Sequence, residues 1–254
     1  MIGNIGHIAI IESLGAERKT GREIYDDCIR RNIDRTKSSI THRFYIVPNK
    51  KALVDLLKSY QEQAKNITNG LLIHLEMHGS DNLDGLILAD KSIILWKELI
   101  DLFRPINLIT CNEVYVSLAT CNGREMFQVV EYKEKSPFNC YISASQQVNP
   151  DQIVESFFDL FQQVIETGNL INAYKATENE DTKFFYKDSI EIFKFTYERT
   201  HGQLKQYYFD RAEEFQDRFR YSPFSMAEMV DIVIQDHYDL HFKKFAINPA
   251  ECDK

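Results

Sequence analysis

The chain reads as an α/β protein followed by a helical region. Five short segments rich in β-branched and other apolar residues alternate with amphipathic segments up to about residue 175, and turn-forming residues close the clearest of them. Beyond that point the pattern changes to aromatic-rich, charged stretches of helical spacing. The expected architecture is therefore a mostly parallel sheet flanked by helices on both faces, with residues 1–175 as the main domain and 176–254 as a helical C-terminal extension.

Taken in order, residues 5–11 (IGHIAII) read as a buried strand between Gly3 and Gly15. Apolar residues at 24, 25, 28, 29 and 33 then predict a helix packed on the sheet. RFYIVP makes a second strand stopped by Pro48, and Asn49 caps a helix through about Gln63. GLLIHLEM forms the third strand, closed by His78-Gly79-Ser80-Asp81-Asn82. GLILADKSIILW predicts a small hairpin turning at Ala89-Asp90-Lys91, and KELIDLF a helix that ends before Pro105. VYVSLAT is the fourth strand, running straight into Cys121-Asn122-Gly123, and MFQVVEY reads as a helix packed on the sheet. FNCYISA is the fifth strand, followed by a helix from about Asp151 to Glu166 that Asn149-Pro150 starts. In the extension, FFYKDSIEIFKFTY, QLKQYYFDRAEEFQDRF and MAEMVDIVIQDHYDLHF all read as helices, with Ser222-Pro223 as an interruption. No tandem repeat is visible.

Composition narrows the function classes. The chain has 254 residues and a formal net charge of -8, with 44% hydrophobic and 27% charged residues, which suits a globular protein with a sizeable core. Residues 1–65 carry net +4 and residues 66–254 net -12. RKTGR and CIRR are too short to make a basic face, so nucleic-acid binding is set aside. The longest apolar stretches fall far short of the roughly 18 residues that a membrane span needs, and MIGNIGHIAI lacks a basic n-region, so neither a span nor a signal peptide is expected. Five widely spaced cysteines without C-x-x-C favour reduced thiols and a cytoplasmic setting over a disulfide scaffold or a structural zinc.

Ligands of open α/β sheets bind outside the carboxyl ends of the strands. Both His78-Gly79 and Cys121-Asn122-Gly123 stand there. A thiolate attacking a carbonyl needs an imidazole to take its proton and later protonate the leaving amine. Backbone N–H groups must also hold the oxyanion, and adjacent glycines let the backbone approach closely. One Cys and one His alone are as readily core filler and a turn. His74, Glu76 and His78 alternate along one strand, but H-x-E-x-H is not a zinc-protease motif, and core placement of His74 and Glu76 is the stronger reading. Cys140 reads as core and Cys111 as a bystander. No metal or cofactor is expected, and neither phosphate-loop pattern is present around Gly15 and Gly21.

The whole run LLIHLEMHGSDNLDGLIL, WKELIDLFRPIN and EVYVSLATCNG resembles the caspase-like (clan CD) cysteine peptidases, in particular their bacterial CHAT-type branch. The resemblance rests on a strand ending in His78-Gly79, a hairpin and a helix, and a strand ending in Thr120-Cys121-Asn122-Gly123. It spans roughly residues 5–175 at the level of pattern, and the C-terminal 80 or so residues carry no such resemblance. It implies a caspase-like sheet, Cys121 as nucleophile, His78 as general acid/base, and the backbone N–H groups of Gly79 and Cys121 as oxyanion hole. No third acid is implied, and Asp81 and Asp84 read as turn residues. Caspases bind an acidic substrate side chain partly through an arginine after the first strand. Arg18 and Arg22 occupy that stretch, where solvated helix-entry charges are an equal reading. At the other two pocket positions this chain has Ala119 and SASQQ, implying a shallow pocket lined by Ala119, Ser143 and Ser145 rather than strict aspartate specificity.

The function this implies is a cysteine endopeptidase acting on a protein substrate. Bacterial relatives are often defence effectors, so a gasdermin-like pore former as substrate and an activating sensor as partner are the expectations. The alternatives are a non-catalytic interaction or scaffold module on the same fold, and a different cysteine hydrolase.

Overall fold

The computed structural model describes residues 2–144, 146–179, 182–211, 224–248 and 252. Seven segments with β-forming side chains make the strands expected from the sequence: β1 (His7–Glu12), β2 (Thr41–Ile46), β3 (Leu71–Glu76), β5 (Gly85–Ile87), β6 (Ile93–Leu95), β7 (Val114–Ala119) and β8 (Cys140–Ala144). Two more, β4 (His78–Gly79) and β9 (Phe184–Asp188), arise from pairing. The main sheet has the order β2-β1-β3-β7-β8-β9, and its strands are parallel except for β9, which runs antiparallel to β8. β4, β5 and β6 form a separate antiparallel sheet.

Helices cover both faces. On one face lie Thr20–Glu23, Ile24–Arg30 and Arg31–Thr36, which run on as a single helix α1 with a π-wound middle, together with α5 (Pro150–Thr167) and α6 (Leu170–Thr177). Ile24, Cys28 and Ile29 of α1 and Phe157, Phe161 and Val164 of α5 pack there on Ile8, Ile10, Leu72 and Ile142. The opposite face receives α2 (Lys50–Gln63), α3 (Trp96–Ile109), the single turn α4 (Glu125–Gln128), and the C-terminal helices α7 (Ser189–His201) and α9 (Met226–Phe245). Leu53, Leu57, Leu99, Phe103, Phe193 and Phe245 fill that core against Ile11, Ile73, Leu75 and Val116. A further short helix, α8 (Leu204–Asp210), packs against α9.

Local capping places the helix starts where the sequence put them. Asn49 accepts from the Ala52 N–H at 2.9 Å, and Asn149 from the Gln152 N–H at 2.9 Å with Pro150 at the first position of α5.

Three expectations are corrected. The helix α3 does not end before Pro105 but runs through it to Ile109. Proline removes one helical hydrogen bond at a cost of about 3 kcal/mol, which burial of Phe103 and Ile106 offsets at about 1.5–3 kcal/mol each. Asn107 adds hydrogen bonds to Asn112, Ser136 and the Val114 N–H. Second, FFYKD is not helical. It forms β9 because it pairs with β8 from Cys140↔Asp188 to Ala144↔Phe184, and Asp188 then caps α7 by accepting from the Glu191 N–H. The sheet therefore includes residues beyond 175. Third, the helix expected over MFQVVEY is one turn only, although Met126, Phe127, Val130 and Tyr132 are all buried. Part of QLKQYYFDRAEEFQDRF, and Ser222-Pro223, lie outside the described residues.

Candidate active site

The site is assembled at the carboxyl ends of β3 and β7, which are neighbours in register, Glu76 opposite Ala119. After Glu76 the chain leaves the main sheet, and His78 and Gly79 pair antiparallel with Ile87 and Leu86 of β5. The Ser80 hydroxyl accepts from the N–H groups of Asp84 and Gly85 and donates to the Asp84 carboxylate at 2.6 Å. That network closes the turn after His78 and makes Asp84 a turn residue.

From β7 the chain delivers Thr120 and Cys121 into a tight reversal. Asn122 adopts a left-handed conformation (φ 55°) and starts a turn in which the Glu125 N–H reaches the Asn122 carbonyl and, one residue on, the Met126 N–H the Gly123 carbonyl. The reversal is tied to the end of β8: Arg124 N–H donates to the Ala144 carbonyl and the Tyr141 hydroxyl to the Arg124 carbonyl. A β carbon on Gly79 would collide with the Cys121 carbonyl oxygen, so only glycine allows the backbone of the His78 turn to lie directly against Cys121. The Thr120 hydroxyl, buried beside this contact, and the Ser143 hydroxyl, buried against Gly123, pair with no group among the described residues.

Cys121 is partly exposed, and its thiol points to the Val148 carbonyl at 3.8 Å. Among the described residues no hydrogen bond joins it to His78. The His78 Nε2 instead faces a Glu17 carboxylate oxygen at 2.7 Å. Neither Glu17 nor Val148 was found by sequence reasoning. The signal for Glu17 was its position in the loop after β1, at the same end of the sheet as the two strand ends that were considered.

Of the other candidates, Arg18 donates to Glu23 at 2.9 and 2.8 Å and to Asp151 at 2.5 Å, and its two carboxylates hold its pKa above the ordinary guanidinium value. Asp151 opens α5, just after Val148, so Arg18 spans toward the Cys121 side of the site. Arg22 goes the other way. Its guanidinium binds Asp26 and lies 5.0 Å over the Phe44 ring on β2, and β2 is three strands from β7. At about 4.8 Å per strand, the structure does not bring Arg22 to Cys121. Ala119 and Ser143 are buried on opposite faces of the sheet. Ser145 lies outside the described residues.

His74 and Glu76 are core residues. The His74 ring meets Phe157 and Phe161 edge-on, its Nδ1 pairs with Ser117 at 2.8 Å and its Nε2 with Glu76 at 3.0 Å, and Glu76 also accepts from the Thr20 hydroxyl. Glu12, opposite Glu76, accepts from the Arg22 N–H, and burial raises its carboxyl above the ordinary pKa. Gly21 fits over both carboxylates without room for a side chain.

Among the described residues, no group of three histidine, cysteine or acidic side chains could hold a metal ion, and no helix is long and apolar enough to cross a membrane. The five cysteines, all described, form no disulfide. In comparison with known proteins, the chain matches no protein-family model and no curated protein sequence.

Proposed function

We propose that this protein is a caspase-like cysteine endopeptidase in which Cys121 is the nucleophile and His78 the general acid/base. The observation that carries the reading is the contact of Gly79 with the Cys121 backbone, which sets an imidazole and a partly exposed thiol at the ends of adjacent parallel strands. The six-stranded sheet with helices on both faces is compatible with such a fold.

In the proposed reaction His78 takes the thiol proton and the sulfur attacks the peptide carbonyl carbon. The N–H groups of Gly79 and Cys121 receive the oxyanion. Collapse breaks the C–N bond, His78 gives its proton to the leaving amine, and a thioester remains. Water then attacks with His78 as base, the C–S bond breaks, and the carboxylic acid and the free thiol are released. The thiol reaches the Val148 carbonyl here rather than His78, and hydrogen bonds of this kind commonly tighten only when substrate is bound. The same resemblance extends the proposal to a bacterial defence effector acting on a gasdermin-like pore former.

The test is labelling with an electrophilic peptide ketone. One hyper-reactive thiol, lost in both Cys121→Ala and His78→Ala, is expected, with the double variant no worse than either single one because the pair acts as a unit. Five cysteines of equal, slow reactivity would instead mark a scaffold module on this fold.

A further inference from the structure

We infer that Glu17 is a positioning residue for His78: its carboxylate pairs with the ring at Nε2 and leaves Nδ1 as the nitrogen that takes the Cys121 proton. The inference rests on the peptidase reading and departs from the dyad without a third acid that the family resemblance implies.

The geometry begins with the 2.7 Å separation of His78 Nε2 and Glu17 Oε2. A carboxylate oxygen this close repels a ring lone pair, so a neutral imidazole in this contact favours the form with its proton on Nε2. Nδ1 then presents a lone pair. A histidine without such a partner divides between two tautomers, and only one of them can act as base through a given nitrogen.

The loop carrying Glu17 is held from several sides. Ser13 N–H donates to the Glu76 carbonyl and its hydroxyl to the Val47 carbonyl, while the Ala89 N–H donates to Ser13. Glu17 N–H closes a turn on the Leu14 carbonyl at 3.1 Å. Both cations next to Glu17 are engaged elsewhere, Arg18 with Glu23 and Asp151 and Lys19 with the Gly15 carbonyl. The loop thus leaves the Glu17 carboxylate to the imidazole. Asp84, nearer in sequence, is taken by Ser80.

The pair is exposed, 47% for the His78 side chain and 59% for that of Glu17. Ion pairs this exposed add little to folding stability. Removing the carboxylate therefore leaves the fold intact and isolates its effect on the ring.

The experiment uses the full chain with Glu17→Ala and Glu17→Gln, and has two arms. Nitrogen NMR at about pH 9, where imidazoles are neutral, reads the His78 tautomer. Iodoacetamide alkylation reads the Cys121 thiol against the other four cysteines. We expect a single Nε2–H form in the wild type and a tautomer mixture in both variants, since the amide introduced by Glu17→Gln can donate as well as accept. Alkylation of Cys121 should slow roughly tenfold, part of the 10²–10⁴ that a positioned acid/base supplies. An unchanged tautomer, or an unchanged alkylation rate beside a fast wild-type thiol, overturns the role of Glu17 alone. A wild-type Cys121 that reacts no faster than in His78→Ala overturns the dyad, and this role with it.

Discussion

Gly123 and Ser143 meet so closely that no side chain fits between them: a β carbon on Gly123 would run into the Ser143 hydroxyl. The contact joins the turn after Cys121 to the strand beside it. We expect Gly123→Ala to destabilise the protein by about 1–3 kcal/mol, the usual cost of forced overpacking. Adding Ser143→Gly should recover part of that loss, because the two positions share one space. Urea denaturation of the two single variants and the double variant measures it. Losses that simply add would show that the steric contact is not the cause.

The segment between Cys121 and β8 should survive in one piece. Met126, Val130 and Tyr132 are buried, Arg104 binds the Lys135 carbonyl and Glu134, and Ser136 and Lys135 bond the carbonyls of Phe245 and Ala246. A protease needs an exposed, extended tether, and this stretch offers none among its packed residues. Mass spectrometry of labelled, active protein is expected to show a single chain. Two chains split between residues 123 and 138 would overturn the expectation.

For the proposed peptidase, cleavage specificity should not depend on aspartate before the cut. Arg22 stands over Phe44, and Arg18 is shared by Glu23 and Asp151. Neither guanidinium is left to hold a substrate carboxylate bidentately. A peptide-library profile is expected to accept small or apolar side chains, and Arg22→Ala to leave the profile as it is. An absolute aspartate requirement that disappears in Arg18→Ala would contradict this.

Stability should fall as the pH drops from about 6.5 toward 4. Burial and the nearby Arg43 push His7 down from 6.5 to about 4, and burial also lowers His42, His201 and His241. Protons then bind the unfolded chain more tightly, so the stabilising contribution is complete above the unfolded value and is lost below it. For His7 the span corresponds to at most about 3 kcal/mol, and solvent screening of a partly exposed ring reduces it to about 1–2 kcal/mol. His201, His237 and His241 cluster between α7 and α9, with ring centroids 4.5–6.3 Å apart, and His201 also holds the Tyr132 hydroxyl at 2.7 Å. Lys133 and Lys244 add to the unfavourable charge there. Denaturation midpoints between pH 7 and 4 should show a shallower decline in His7→Gln than in the wild type. Parallel declines would exclude His7 as a source.

Where a structural signal is local, the sequence by itself determined the outcome. Asn49 and Asn149-Pro150 start their helices because one side chain reaches an N–H three residues on, and β1, β3, β7 and β8 follow runs of buried β-formers bounded by turns. That His78 and Cys121 follow the ends of two strands was legible because strand ends can be located along the chain. Contacts between distant segments were decided only by the tertiary structure. FFYKD has residues that suit either a strand or a helix, and pairing with β8 selects the strand. Pro105 is tolerated because Phe103, Ile106 and Asn107 gain more from the core than one missing hydrogen bond costs. Arg22 is drawn to Phe44 and Asp26, and Glu17 is brought to His78 from the far side of α1, β2, α2 and β3 in the chain, since parallel strands gather their following loops at one edge of the sheet whatever their separation in sequence.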